Sequence, residues 1–156
     1  MSSPADLVEA LEALAARLDD RARVKLGRSL GAELRRLNAE RIRANRTPEG
    51  APMVPRKARR PAPAKLGKPP ALDPRKRGRM FRKAATNRYL RVRAAPEELQ
   101  LGYFGTAATI LIQHQEGGTY RVSRDTDAQA DYPARPLLGL PPEDRARILD
   151  RVAQLL

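Results

Sequence analysis

Leu7, Leu11, Leu14 and Leu18 step by four, three and four along the N-terminal stretch. Leucines at that spacing line one face of a helix. Ser2 or Ser3 followed by Pro4 suits a helix start, with Asp6 and Glu9 near the positive end of the dipole. A second stripe, Ala22, Leu26, Leu30, Leu34 and Leu37, runs on through Ile42, with Arg35, Arg36, Arg41 and Arg43 mostly off it. The two stripes meet near Asp19-Asp20, which predicts a bent pair or a short helical hairpin. Asn45 to Gly50, with Pro48 inside, reads as the turn that ends the second helix.

From Ala51 to Arg79 no period is visible, and Pro, Lys, Arg, Ala and Gly dominate, so residues 51–79 are expected to form an extended arm. Met80-Phe81 opens an apolar patch of one or two helical turns ending near Asn87. Tyr89, Val92 and Ala94 alternate with Arg88, Arg91 and Arg93, and Leu99, Leu101 and Tyr103 alternate with Gln100 and Gly102. With the turn at Pro96-Glu97-Glu98 these predict a β-hairpin. Ala107 to His114 reads as a buried helix stopped by Gly117-Gly118. A short strand over Tyr120–Ser123, a loop from Asp125 to Asp131 and a Pro-punctuated connector from Tyr132 to Leu140 follow. The last helix starts near Pro141-Pro142, with Ile148, Leu149, Val152 and Leu155 as its apolar face.

Charge changes this picture. The 156 residues carry a net charge of +13, and between Arg41 and Arg93 there are 18 Lys or Arg against Glu49 and Asp73 alone. The remainder is slightly acidic, so the whole excess lies in one segment. Concentrated positive charge attracts phosphate or carboxylate surfaces in a salt-dependent way. The arm within it, residues 51–79, is open to three readings: a solvated charge run, a DNA-phosphate contact, or a dock for acidic faces of neighbouring subunits. Base reading is disfavoured, since no helix-turn-helix, zinc finger or aromatic platform accompanies the charge.

Candidate chemistry is sparse. There is no Cys, which excludes disulfides and thiolate metal sites. The one His, His114, lies between Gln113 and Gln115 with no nucleophile motif nearby, and is expected to be structural. Asp125, Asp127 and Asp131 lack the glycine and terminal Glu of a calcium loop. No catalytic residue, metal or cofactor is therefore expected, and a nuclease would need carboxylate pairs that are not evident. Nothing approaches the ~20 apolar residues of a membrane span. The start lacks the pattern of a signal peptide, so synthesis and folding in the cytosol are expected, with no membrane partner.

The order of motifs resembles a known group. The run from Arg41 to Lys57 (RIRANRTPEGAPMVPRK), Lys76 to Phe81 followed by Arg88-Tyr89-Leu90, Gly102-Tyr103-Phe104-Gly105, Ile112 to Gly117 (IQHQEG) and Tyr132 to Gly139 (YPARPLLG) are similar to the phage virion morphogenesis, or tail completion, family of Mu-like and related tailed phages. The resemblance covers the chain from Val24 onward. It implies a single α+β domain over residues 1–156: a small antiparallel sheet flanked by helices, with long N-terminal helices and the basic arm. It further implies a structural, non-enzymatic virion component at the neck or tail end, assembled in the host cytoplasm. Such proteins are similar to tail terminators, which form a homo-oligomeric ring that caps the tail tube and meets the head connector. Six copies match the tube and twelve the portal side, with six favoured; tail tube or sheath and connector proteins are the expected partners, and contact with packaged DNA is left open. Candidate partner-facing residues are Arg56, Lys57, Arg59, Arg60, Lys65, Lys68, Arg75, Lys76, Arg77 and Arg79, with Gln113 and His114 near the centre of the fold. Apolar residues of the first and last helices are candidates for ring contacts. The rival reading is a non-specific nucleic-acid-binding basic protein.

Overall fold

The computed structural model describes residues 3–55, 80–123 and 125–154. Helix α1 spans Pro4–Ala15. Its start is closed by a capping box: the Ser3 hydroxyl accepts from the Asp6 amide at 3.1 Å and the Asp6 carboxylate accepts from the Ser3 amide at 2.7 Å. Helix α2 runs over Asp20–Arg43 and is capped by Asp19, whose carboxylate accepts from the Ala22 amide at 2.7 Å. Arg23 turns back to donate through Nε to the carbonyls of Ala15 and Leu18, which ties the end of α1 to the start of α2. The bent helical pair expected from the leucine stripes is thus present.

Strands β1 (Leu90–Ala94) and β2 (Leu99–Tyr103) form an antiparallel hairpin, in which Leu90 faces Tyr103 and Ala94 faces Leu99. Leu90, Val92 and Ala94 point to α2, and Leu90, not Tyr89, is the fully buried residue at the strand's start. The two layers close tightly because α2 presents Gly31 to the sheet. A Cβ there would collide with Val92 and lie 2.9 Å from Leu99 Cδ1. Helix α3 follows over Thr106–Glu116, then a second antiparallel hairpin of β3 (Gly118–Ser123) and β4 (Thr126–Tyr132), and finally α4 (Pro142–Ala153). The architecture is α+β, its strands divided between two separate two-stranded sheets.

Two apolar clusters share α2 as a spine. Toward its N-terminal end, Leu30 meets Leu14 of α1 and Ile148 and Val152 of α4, with Leu11, Leu18, Leu26, Leu34 and Leu149 around them. Toward its C-terminal end, Ala39 and Ile42 meet Met53, Met80, Ala85, Leu90 and Leu137.

Several expectations are corrected. Leu14 of α1 and Ile148 and Val152 of α4 are buried against α2, while Val8 of α1 is 54% exposed, so the apolar residues of these two helices are only partly taken up by the fold. The α3 helix is not buried: Ile110 and Ile112 are 59% and 48% exposed, because only one side of the helix meets the body, mainly at β2. Residues 125–131 are largely strand, not loop; their Thr, Ala and Gln alternate on a ribbon whose two faces are mostly wet, so no hydrophobic alternation betrays it. Lys83 to Leu90 is a chain of turns closed by Thr86 N–H to Lys83 C=O and by Tyr89 and Leu90 N–H to Thr86 C=O, not a helix. The expected arm starts later than Ala51, because Met53 is buried in the core. The rest of the arm, residues 56–79, and Leu155 lie outside the described residues, as does the side chain of Leu7.

Candidate assembly surface

Asn45 stands at the end of α2 with a positive φ of 54°, a conformation Asn tolerates better than other non-glycine residues. This bend lets one residue hold both flanks of the basic segment. The Asn45 carbonyl accepts from the Met53 amide at 2.8 Å, while its side-chain oxygen accepts from the Met80 amide at 3.0 Å. Met53 and Met80 then plug the same core cluster. The chain therefore leaves for residue 56 and returns at residue 80 from one anchored root.

Arg135 completes that root. It is only 4% exposed, yet its guanidinium donates through Nε to the Val54 carbonyl at 2.7 Å and through NH2 to the Pro55 carbonyl at 3.1 Å. A buried cation holding two successive carbonyls fixes the direction of the backbone entering the basic segment. Its third nitrogen lies 3.4 Å from His114 Nδ1, and the Arg135 amide donates to the His114 carbonyl at 2.6 Å. The His114 ring stands edge-on between Phe81 (centroids 4.8 Å) and Tyr132 (5.3 Å). His114 is thus a packing and positioning residue of the arm root, as its sequence context suggested.

The neighbouring Gln115, not Gln113, carries the polar work of α3. Its Oε1 accepts from the amides of Leu137 and Leu138 at 2.6 and 3.0 Å, and its Nε2 donates to the Leu138 carbonyl. Gly117 permits the crossing: with φ at 70°, a Cβ would sit 2.6 Å from the Ala134 nitrogen. Asn45, Gln115 and Arg135 were not singled out from sequence. Arg135 had a signal, an arginine alone among prolines and leucines in a connector read as tightly packed.

Outside the root, two elements are left largely exposed by the other described residues. One is the outer side of α3 with Ile110 and Ile112; the other is the β3–β4 ribbon, whose Val122 is 56% exposed and whose strands pair with each other far more than with the body. A two-stranded ribbon is marginal on its own, and its free edges are templates for another chain. A depression of about 370 Å³ between α2 and α4 is lined by Glu33 and Asp150 beside Arg147 and Arg151, an acid–base balance that selects no ligand charge. Among the described residues no group of His, Asp or Glu is placed to hold a metal ion. Burial pushes the Tyr103 hydroxyl well above its ordinary range, consistent with a neutral core phenol. No described helix is long and apolar enough to cross a membrane.

The family model described as the phage virion morphogenesis family matches residues 4–156. The chain belongs to that family. A curated relative, tail completion protein S of Escherichia phage P2, is 32% identical over 122 residues, which are 78% of this chain and 76% of the relative. No solved structure matches the chain. In this virion morphogenesis protein, the ten arm cations from Arg56 to Arg79 lie outside the described residues, while the root that holds their segment is built from Asn45, His114 and Arg135.

Proposed function

We propose that this protein is a structural component of the phage tail that completes the tail end and joins it to the head connector, acting as a homo-oligomeric ring and catalysing no reaction. The observation that carries the reading is the pairing of a match over nearly the whole chain with apolar surface that the described residues leave exposed. The outward side of α3 and the β3–β4 ribbon expose Ile110, Ile112 and Val122 on elements that pack poorly against their own body. Neighbours in a ring would cover them by heterologous contacts, each copy offering the ribbon to the next. Six copies fit a tail tube and are the favoured number. The basic segment, held at its root, is the contact to acidic surfaces of tube, sheath or connector. Ordering it costs conformational entropy that contacts with partners offset.

The test is complementation of a phage lacking this gene by a variant carrying Arg75→Glu, Lys76→Glu and Arg77→Glu, with the mass of the purified protein measured alone and with tail tubes. The expected result is a folded protein that binds tubes as a hexamer, alongside filled heads and complete tails that fail to join. Normal yields of infectious particles from the charge-reversed variant would refute the arm's role; a monomer in the presence of tubes would refute the ring.

A further inference from the structure

The outer face of the β1–β2 hairpin carries cations that pair with no carboxylate among the described residues. Inward, Leu90, Val92 and Ala94 meet α2; outward, Arg91 and Arg93 are exposed. Their cross-strand partners are Gly102 and Gln100, so no carboxylate stands opposite either arginine. From Met80 to Pro96 the chain holds no acidic residue at all, and the acids at the hairpin turn are engaged elsewhere. Glu97 pairs with Arg23 at 3.0 Å, and Glu98 accepts from Gln100 at 2.6 Å.

These arginines are also held in place. The Arg93 guanidinium lies over the Phe104 ring, 3.7 Å from its centroid. Arg91 donates through Nε to the Arg88 carbonyl at 3.0 Å, and its two terminal nitrogens have no hydrogen-bond partner among the described residues. Arg88 lies over the Tyr89 ring at 5.7 Å. Stacked and tethered guanidinium groups lose less rotamer freedom on binding than a solvated charge run. Beside Arg91, Gly102 has nothing within 4 Å of where its Cβ would be, so a ligand's backbone can approach the sheet closely.

We propose that this hairpin face, through Arg88, Arg91 and Arg93, is a contact surface for the phosphate backbone of duplex DNA. Arginines two apart on a strand are separated by about 6.8 Å. Two cations that close together can each meet a phosphate of the same DNA strand. Nothing on the face reads base edges, so the contact is independent of sequence. The proposal concerns residues outside the expected arm of residues 51–79 and does not depend on the ring or on head–tail joining.

The experiment is fluorescence anisotropy of the full-length protein titrated into a labelled 30-base-pair duplex of arbitrary sequence, at salt from 50 to 200 mM. Losing two phosphate contacts should lower the slope of log affinity against log salt by about 1.8 and weaken binding on the order of 10–100-fold at 100 mM salt. Arg91→Ala/Arg93→Ala is expected to do so with an unchanged circular dichroism spectrum. Arg91→Lys/Arg93→Lys should keep most of the slope while losing part of the affinity. A control with the same charge loss, Arg147→Ala/Arg151→Ala on α4, which lines the side of α2 turned away from the hairpin, should leave the slope unaltered. The proposal is overturned if wild-type protein does not bind at 50 mM salt, or if the control weakens binding as much as the hairpin variant. It is equally overturned if polyglutamate at matched charge competes as well as unlabelled duplex, an outcome that would mark an acidic protein surface as the partner.

Discussion

Removing the carboxylate of Asp144 should unlock α4 from α2. Asp144 sits in the first turn of α4, and its Oδ2 accepts from Arg41 NH1 at 2.6 Å. The side chains are 4% and 17% exposed, and Arg41 also donates to the Gly139 carbonyl at 3.3 Å. Breaking a buried pair by deleting one partner costs about 3–5 kcal/mol, because the other charge stays desolvated. Here the remaining carbonyl and the partial exposure of Arg41 place Asp144→Ala near the lower bound, about 3 kcal/mol. For a chain of this size that is a fall of about 6–12 °C in Tm. Arg41→Ala should cost somewhat less, about 2–3 kcal/mol, since the stranded carboxylate still lies at the positive end of α4. The informative variant is Arg41→Leu/Asp144→Leu, in which neither charge is left behind. Its loss, measured by urea denaturation followed by circular dichroism, should fall short of the summed single losses by at least about 1.5 kcal/mol. Additivity within about 0.5 kcal/mol would refute the idea that the pair acts as a desolvated unit.

Arg135→Met should free the carbonyls of Val54 and Pro55 and lower stability by about 3 kcal/mol, from two charge-assisted bonds of about 1.5 kcal/mol each. Faster amide exchange at Met53 is expected along with it, and exchange unchanged from wild type would argue against a root held by this side chain. Arg36 holds the Glu33 carboxylate below its ordinary value of 4.5, chiefly by hydrogen bonding. A carboxyl with a depressed folded value adds stability above its unfolded value and loses it as pH falls through the folded one. The stability gap between wild type and Glu33→Gln should therefore be present at pH 7 and close on acidification below 4.5; a gap that persisted unchanged into strong acid would contradict the pairing.

Much of this fold was legible because one-sided burial leaves a period in the sequence. The leucines of α1 and α2 and the alternation across β1 and β2 each have a dry side and a wet side, and Pro96-Glu97-Glu98 and Gly117 mark the reversals. Where burial is not one-sided the pattern fails. Strand β4 is mostly wet on both faces, so Thr126–Tyr132 carries loop-like composition. Helix α3 is apolar because of what it contains, yet its Ile110 and Ile112 are exposed, so composition misled about burial. The candidate surface was legible only as charge. Its polar fastenings join residues far apart in the chain, Arg135 to Val54 and Asn45 to Met80, and no local window reports such a bond. Leu90 and Met53 entered the core for the same reason, being placed there by long-range contacts and not by their neighbours.

The division of the core along α2 bears on how stability and assembly are separated. The N-terminal half of α2, with α1 and α4, forms a helical cluster around Leu14, Leu30, Ile148 and Val152. The root of the basic segment, the Gln115 fastening of α3 and the start of β1 all gather on the other cluster, around Ile42, Met53, Met80 and Leu137. Residues more than ~7–10 Å apart with no shared partner contribute nearly additively. Substitutions such as Leu14→Ala or Ile148→Ala should therefore lower stability without changing how Met53 and Val54 are held, whereas changes at Asn45 or Arg135 should lower stability and loosen that anchoring together. A chain built this way can hold its α1–α2–α4 end by apolar packing while, among the described residues, the rest exposes one side of α3 and the β3–β4 ribbon.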